Sequence, residues 1–187
     1  GDYSKIANKI AIRWTTLLDG MFPKERLLDI LRNFICFSKS EEGTAKILAA
    51  YHQYFGVHKA VDSTLHAMNS DGKAGVFWHT QGSGKSLSMV FYAHLLAEQV
   101  SSPTIVVTTD RTDLDGQLYS QFAKCADFLR QTPQQAASRE NLIELLNNRQ
   151  ANGIVFNTMQ KFSETDEQLS ELRNIVVMDD EAHRSQY

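Results

Sequence analysis

The chain has 187 residues, of which 42% are hydrophobic and 22% charged, a balance typical of one soluble globular domain with its own core. No apolar run approaches about 18 residues, so no membrane span is predicted. The net charge of −3 argues against a broad basic DNA-binding surface, so any contact with nucleic acid must use few, well-placed side chains. The two cysteines, Cys36 and Cys125, make no disulfide framework and no metal-ligand spacing, and we interpret them as core residues of a cytoplasmic protein.

Residues 1 to about 70 are predicted to be helical. Pro23 suits the first turn of a helix, and apolar residues follow it at helical spacing, namely Leu27, Leu28, Leu31, Phe34 and Ile35. A second helix is predicted from the spacing of Tyr54, Val57, Val61, Leu65 and Met68, and it ends at the turn pair Asp71-Gly72. The polar stretch SKSEEGT, residues 38–44, is predicted to be a loop between them.

The remainder of the chain alternates apolar runs of strand length with helical patterns. The runs are AGVFWH (74–79), TIVVTT (104–109), GIVFNT (153–158) and NIVVMD (174–179). They show little polar alternation, as expected of parallel strands that are covered on both faces. Helices are predicted from the spacing of Leu114, Leu118 and Phe122, and again from Leu142, Leu145 and Leu146. The pattern predicts a doubly wound α/β sheet, with polar residues 131–142 as a surface excursion.

The string Gly82-Ser83-Gly84-Lys85-Ser86 has the context of a phosphate-binding loop. The predicted strand 74–79 precedes it, and an apolar helix with Leu87, Val90, Phe91 and Leu95 follows it. Glycines allow successive backbone N–H groups to face phosphate oxygens, and the helix N-terminus adds partial positive charge. Lys85 would reach the outer phosphates, and Ser86 would ligate magnesium. Thr80 and Gln81 complete the loop, whereas His79 stands where the general pattern has its first glycine. The alternative is a flexible Gly/Ser turn.

A second motif, Asp179-Asp180-Glu181-Ala182-His183, follows the apolar run IVVM. Carboxylates just beyond a parallel strand face the crevice in which such folds bind ligands. Asp180 could hold the magnesium shell, and Glu181 could orient or deprotonate the attacking water. The alternative is an acidic helix cap, which the upstream phosphate loop disfavours. His183 is interpreted as coupling the nucleotide site to the rest of a motor, with a solvated surface histidine as the alternative.

Four strings together carry a family resemblance: WHTQGSGKSLSMVF, TTDRTDLDGQL, FNTMQKF and VMDDEAHRSQY. They resemble the motor (R) subunit of type I restriction endonucleases, a DEAH-type group of helicase superfamily 2. The upstream strings LLDILRNFICF and ILAAYHQYFGVHKAV are similar too, so the resemblance covers nearly the whole chain. It implies a P-loop NTPase fold with a RecA-like parallel sheet and helices on both faces. Residues 1–70 would lead into the motor, and 71–187 would form most of its first RecA-like lobe. The pair Trp78-His79 is a mark of that family.

The resemblance also implies an activity, its cofactors and its partners. Such a subunit uses ATP and Mg²⁺ to translocate duplex DNA, and cleavage occurs away from the recognition site, in complex with specificity (S) and modification (M) subunits. Gln53 matches the glutamine that reads adenine, because an amide can both donate and accept; the alternative is an exposed helix residue. Two family loops, Thr108 to Gln117 and Asn157 to Phe162, would hold the DNA backbone. The candidates there are Arg111, Thr158, Gln160 and Lys161, each with a solvated loop end as its alternative.

Parts of such a motor are expected to lie outside these residues. A cutting domain, a strand between the phosphate-loop strand and the DEAH strand, and a second lobe with its arginine are all needed by that family. We therefore expect the 187 residues by themselves to bind ATP weakly or not at all and not to hydrolyse it. The alternatives are another superfamily 2 DNA or RNA translocase, a nucleotide-dependent switch or scaffold, and a small-molecule kinase. Glu181 argues against the switch, since a site that only binds nucleotide needs no water-activating carboxylate.

Overall fold

The computed structural model describes residues 14–80, 82–109, 112–147, 153–158 and 169–180, with backbone only for 112–115. In chain order the elements are α1 (residues 14–21), α2 (Lys24–Asn33), β1 (Ile35–Ser40), β2 (Gly43–Leu48), α3 (Tyr51–Ala67), α4 (Lys85–Gln99), β3 (Thr104–Thr109), α5 (Thr112–Lys124), α6 (Ala126–Leu129), β4 (Gln134–Gln135), α7 (Arg139–Asn147), β5 (Gly153–Thr158) and β6 (Ile175–Asp179). None of the helices described is long and apolar enough to cross a membrane.

A parallel sheet with the strand order β4-β5-β3-β6 forms the centre of the fold. Every residue of β3 and β5 is buried, which explains why their sequences show no polar alternation. On one face, Ile105 and Phe156 pack in the larger core with α4 and α5, and on the other face Val106 packs with Leu142 of α7. Helices therefore cover both faces, and the predicted α/β class is confirmed.

The first part of the chain contains a β-hairpin, so the prediction that it is entirely helical is wrong. Strands β1 and β2 pair antiparallel from Ile35↔Leu48 to Ser40↔Gly43. Only residues 41 and 42 of the predicted loop 38–44 form the turn, which Gly43 leaves with a φ of +132°. Both strands are largely exposed, and they therefore lack the apolar alternation by which a half-buried strand is found in a sequence.

The buried face of α2 differs in part from the predicted one. Leu28 and Leu31 are each 56% exposed, whereas Ile30 and Phe34 are buried. The helix contains two overlapping sets of apolar residues at helical spacing, and one of them points to solvent. Spacing cannot choose between such sets, because the choice depends on which face the neighbouring helices cover.

The first part of the chain and the sheet share one core. Phe34 has no exposed surface, and its ring lies 4.7 Å from that of Tyr54 in α3 and 5.5 Å from that of Phe91 in α4, measured between centroids. The predicted core role of the two cysteines is confirmed, since both are fully buried. They also come together in space, and the neighbouring Cys36 thiol lowers the pKa of Cys125 below its ordinary value.

The apolar run 74–79 is not a strand, contrary to prediction: residues 73–80 have no regular secondary structure. They lie along α3 instead, where Ser63 Oγ donates to the Ala74 carbonyl at 2.5 Å. The Phe77 ring packs so closely on Gly56 that a Cβ there would lie 2.7 Å from it. A strand forms only with a hydrogen-bonding neighbour, and among the described strands β6 pairs with β3 alone. The additional strand expected beside β6 stays a prediction.

The polar region 131–142 is more ordered than a simple surface excursion. It contains β4, which extends the parallel sheet by pairing Gln134 with Val155 and Gln135 with Phe156, and it leads into α7. Because both β4 side chains are exposed, the pairing depends on backbone hydrogen bonds that leave no mark in the pattern of apolar residues.

Replacing Asp29 with asparagine is expected to reduce the acid sensitivity of folding. Burial acts to raise the pKa of Asp29, but hydrogen bonds from Asn33, Tyr54 and His58 outweigh it and lower the pKa below its ordinary value; the His58 contact measures 2.7 Å. A depressed pKa stabilises the fold above the unfolded-state pKa, and the benefit is lost as the pH falls through the folded-state pKa. Urea denaturation at several pH values should show the difference between wild type and variant shrinking below about pH 4. A difference that is constant from pH 7 to pH 3 would contradict this role.

Candidate nucleotide site

The predicted phosphate loop lies immediately before α4, which begins at Lys85 with Gly84 as its N-cap. Gly82 and Gly84 have φ values of +77° and +85°, in the left-handed region that favours glycine. Ser83 N–H donates to the Thr80 carbonyl at 3.2 Å and closes the turn. The apolar helix predicted after the loop is confirmed, with Val90, Phe91 and Leu95 among its buried residues. The backbone is thus curled at the positive end of a 15-residue helix.

Lys85 and Asp180 are brought together by the sheet although they lie far apart in the sequence. Lys85 Nζ is 2.6 Å from Asp180 Oδ1, and the exposed fractions of the two side chains are 41% and 12%. The contact joins the phosphate loop to the end of β6. The lysine is therefore placed beside a carboxylate suited to a hard cation, which prefers oxygen ligands.

Strand register explains why Asp180, rather than Asp179, faces the loop. Asp180 N–H donates to the Thr108 carbonyl at 2.9 Å, which continues the β3–β6 pairing one residue beyond the strand. Asp179 instead accepts a hydrogen bond from the Thr108 hydroxyl at 2.9 Å. The two carboxylates therefore have separate partners. Among the described residues no group of three or more His, Cys, Asp or Glu could hold a metal ion.

Gln53 is buried in the first turn of α3, with an exposed fraction of 5%, so the alternative of an exposed helix residue is wrong. Its Nε2 donates to the Gly84 carbonyl at 3.0 Å, and its Oε1 accepts from Ala50 N–H at 2.9 Å. A Cβ on Gly84 would come within 2.8 Å of Nε2. The glutamine therefore ties the start of α3 to the phosphate loop.

Two histidines beside the loop contact Ser83, a feature that the sequence analysis missed. His79 Nδ1 lies 2.6 Å from Ser83 Oγ, and His52 Nε2 lies 3.0 Å from the Ser83 carbonyl oxygen. The two rings are 5.8 Å apart between centroids. The histidine at position 79, where the general pattern has glycine, was the one feature of the sequence that could have indicated this arrangement. Spacing along the chain does not predict its contact with Ser83, four residues away, or the contact of the more distant His52.

The other predicted site residues fall into two groups. Ser86 is partly buried in the first turn of α4, Thr80 is exposed, and Thr158 is buried at the end of β5 with 4% exposure. Because Thr158 is buried, its side chain offers DNA little surface, and its alternative as a solvated loop end does not hold. The remaining predicted residues lie outside the described part of the chain, namely Gln81, Arg111, Gln160, Lys161, Glu181 and His183.

A curled glycine loop at a helix start, facing an acidic residue at the end of a nearby parallel strand, is the arrangement of a P-loop ATPase. The family model described as SWI2/SNF2 ATPase matches residues 52–187. The chain belongs to this family. The match begins at His52, so it includes Gln53 and the first turn of α3 as well as the sheet.

Individual relatives agree with the resemblance read from the sequence motifs. The chain is 50% identical over 182 residues to the type I restriction enzyme HindI endonuclease subunit of Haemophilus influenzae, a match that covers 92% of this chain. It is 38% identical, over 91% of its length, to a Methanocaldococcus jannaschii protein provisionally named the type I restriction enzyme MjaIXP endonuclease subunit. A third relative, 31% identical over 77% of the chain, is the type I restriction enzyme SsaAORF53P endonuclease subunit of Staphylococcus saprophyticus. The chain spans 17% of the length of each of the first two relatives and 16% of the third.

Proposed function

We propose that this chain is the ATP-binding motor lobe of a type I restriction endonuclease subunit. The subunit would hydrolyse ATP to translocate duplex DNA, and cleavage would follow away from the recognition site. The observation that carries the proposal is the contact between Lys85 and Asp180, which brings the two predicted ATPase motifs into one site. Specificity (S) and modification (M) subunits would be its partners, in the cytoplasm. The nuclease active site, a second lobe and its arginine would belong to parts of the polypeptide outside these residues.

The phosphate loop offers backbone N–H donors for the phosphates of a nucleotide, and Asp180 offers a carboxylate oxygen for its magnesium ion. Residues 80–84 would cradle the phosphates through backbone N–H groups, and Lys85 would bind the outer ones. Ser86 and Asp180 supply the oxygen ligands that Mg²⁺ prefers, and the bound ion would neutralise charge on the phosphates. The present ion pair fits this assignment, because phosphate would replace Asp180 as the partner of Lys85 and free the carboxylate for the cation. Glu181 would position the attacking water, and His183 would couple the site to the motor.

Gln53 is proposed to read the adenine edge while it remains attached to the loop. A side-chain amide has two N–H hydrogens and two acceptor lone pairs. The bonds to Gly84 and Ala50 use one of each, so one donor and one acceptor remain. A glutamine that holds both the base and the loop would link adenine recognition to the geometry around the phosphates.

DNA is proposed to bind across the segments that follow β3 and β5 in the sequence. Thr109 and Thr158 are register partners at the carboxyl ends of these strands, the edge at which parallel sheets bind ligands. The Asn157 amide, one residue before the end of β5, is buried with no hydrogen-bond partner among the described residues. Arg111, Gln160 and Lys161 would contact backbone phosphates from these segments, and the buried Thr158 would support the second segment at the end of β5.

ATP hydrolysis by the complete polypeptide that carries these residues tests the proposal. We expect duplex DNA to stimulate hydrolysis by tenfold or more (about 1.4 kcal/mol of activation free energy), since a translocase couples the two. The matched comparison is the same protein without DNA. Equal rates with and without DNA would contradict the translocase. Cleavage of circular DNA in the presence of ATP and the partner subunits separates a restriction subunit from another superfamily 2 translocase, which would translocate and leave the DNA intact.

A further inference from the structure

The hydrogen bond between His79 and Ser83 has a direction that the structure determines. Ser83 Oγ donates to the Thr80 carbonyl oxygen at 2.6 Å. A carbonyl oxygen can only accept, so the single hydroxyl hydrogen of Ser83 is used there. The contact of 2.6 Å between His79 Nδ1 and Ser83 Oγ is therefore a hydrogen bond only if Nδ1 carries a hydrogen and donates it. His79 acts on the loop as a donor.

His52 donates to the main chain of the same residue. Its Nε2 lies 3.0 Å from the Ser83 carbonyl oxygen, which again can only accept. Gln53 holds the next carbonyl, that of Gly84, in the same way. The peptide unit is planar and trans, so a carbonyl held toward α3 turns the N–H of the following residue away from α3. The N–H groups of Gly84 and Lys85 are oriented by these bonds, and backbone N–H groups are what a phosphate loop offers its ligand.

We propose that His79 and His52 are positioning residues that hold the phosphate loop in its binding conformation before nucleotide arrives. This inference rests on the proposed ATP site. At the position of the first glycine in the general pattern, hydrogen bonding by His79 would replace the conformational freedom of glycine. A loop that is already ordered loses less entropy when it binds, and its affinity is higher for that reason. The departure from the general pattern would thus strengthen the site.

The surroundings of His79 favour the neutral donor form. Burial lowers the pKa of its imidazole, and the nearby His52 and Lys85 lower it further. The other ring nitrogen, Nε2, is buried with no hydrogen-bond partner, so no residue in the described part of the chain would accept a second proton there. The Phe77 ring lies 4.8 Å from the imidazole between centroids and limits its rotation. The ring is held with Nδ1 toward Ser83.

The test is nucleotide binding by the complete polypeptide with two substitutions at position 79. His79→Gly restores the general pattern, and we expect it to weaken the binding of ADP with Mg²⁺ about tenfold, which corresponds to the loss of one well-formed hydrogen bond. His79→Asn keeps an N–H donor near the place of Nδ1, and its affinity is expected within about twofold of wild type (under about 0.5 kcal/mol). Isothermal titration calorimetry gives the affinities, and circular dichroism with a thermal melt shows that each variant is folded.

Ser83→Ala provides an independent measurement through the other partner. It should weaken binding at least as much as His79→Gly does, since it also removes the Ser83 bond to the Thr80 carbonyl. The double variant should be no weaker than Ser83→Ala alone, because the His79–Ser83 bond is already absent there. The proposal is overturned if His79→Gly binds as tightly as wild type, if glycine and asparagine are equally weak, or if the two single effects add. A wild-type protein that does not bind ADP or ATP would overturn the proposed function, and this inference with it.

Discussion

Replacing Lys85 with alanine is expected to lower the rate of ATP hydrolysis by the complete polypeptide a hundredfold or more. Losing a donor to the charge that develops in the transition state raises the activation free energy by about 3 kcal/mol. Lys85 lies at the first position of α4, and its ammonium group already contacts the carboxylate of Asp180. The variant would leave the outer phosphates without this cation. Steady-state hydrolysis at saturating ATP and DNA measures the effect.

The matched control for Lys85→Ala is Lys59→Ala, which removes the same charge from an exposed position on α3. The rate of hydrolysis by this control should remain near that of wild type. If Lys85→Ala keeps full activity, the phosphate-loop assignment fails. If both variants lose activity equally, the effect is one of overall charge rather than of the site.

Replacing Phe34 with alanine is expected to lower the free energy of unfolding by about 3–5 kcal/mol. Phe34 is completely buried, and its ring contacts those of Tyr54, His58 and Phe91. The substitution would open a cavity between the first part of the chain and α4, the helix that follows the phosphate loop. Urea denaturation followed by circular dichroism measures the loss.

Phe37→Ala is the control for the Phe34 substitution. Phe37 is 51% exposed on the adjacent strand β1, so the same side-chain truncation should cost within about 0.5 kcal/mol. Equal losses in the two variants would show that the cost does not depend on burial, and would contradict the central role of Phe34.

The two central strands of the parallel sheet, β3 and β5, could be predicted because they are buried along their whole length. The runs 104–109, 153–158 and 174–179 became β3, β5 and β6 with boundaries shifted by at most one residue. Burial on both faces requires a nearly uninterrupted apolar sequence. The short length of these runs and their β-branched residues favour a strand over a buried helix. The run 74–79 has the same character but no strand neighbour among the described residues, and it lies on α3. An apolar composition shows that a segment is able to form a buried strand. Whether it does form one depends on a neighbouring strand with which it can make hydrogen bonds.

The hairpin β1–β2 could not be predicted for the opposite reason. Its strands are mostly exposed and are held by backbone hydrogen bonds and by the ion pair between Lys39 and Asp127. Neither interaction leaves a periodic pattern of apolar residues. The position of Cys36 beside Cys125 is hidden in the same way, since it follows from how the hairpin packs on the end of α5.

The loop and the acidic residue of the candidate site could be located from local sequence, because glycine, lysine and acidic residues have to stand at fixed spacings around a helix start and a strand end. Lys85 and Asp180 therefore met as expected. The arrangement around Ser83 was not readable. His52, Gln53 and His79 reach the loop from the first turn of α3 and from the segment before the loop, and their bonds depend on how α3 packs against α4. Spacing along the chain specifies which groups a loop contains, while the packing of distant elements specifies which donors hold its carbonyls and so where its N–H groups point.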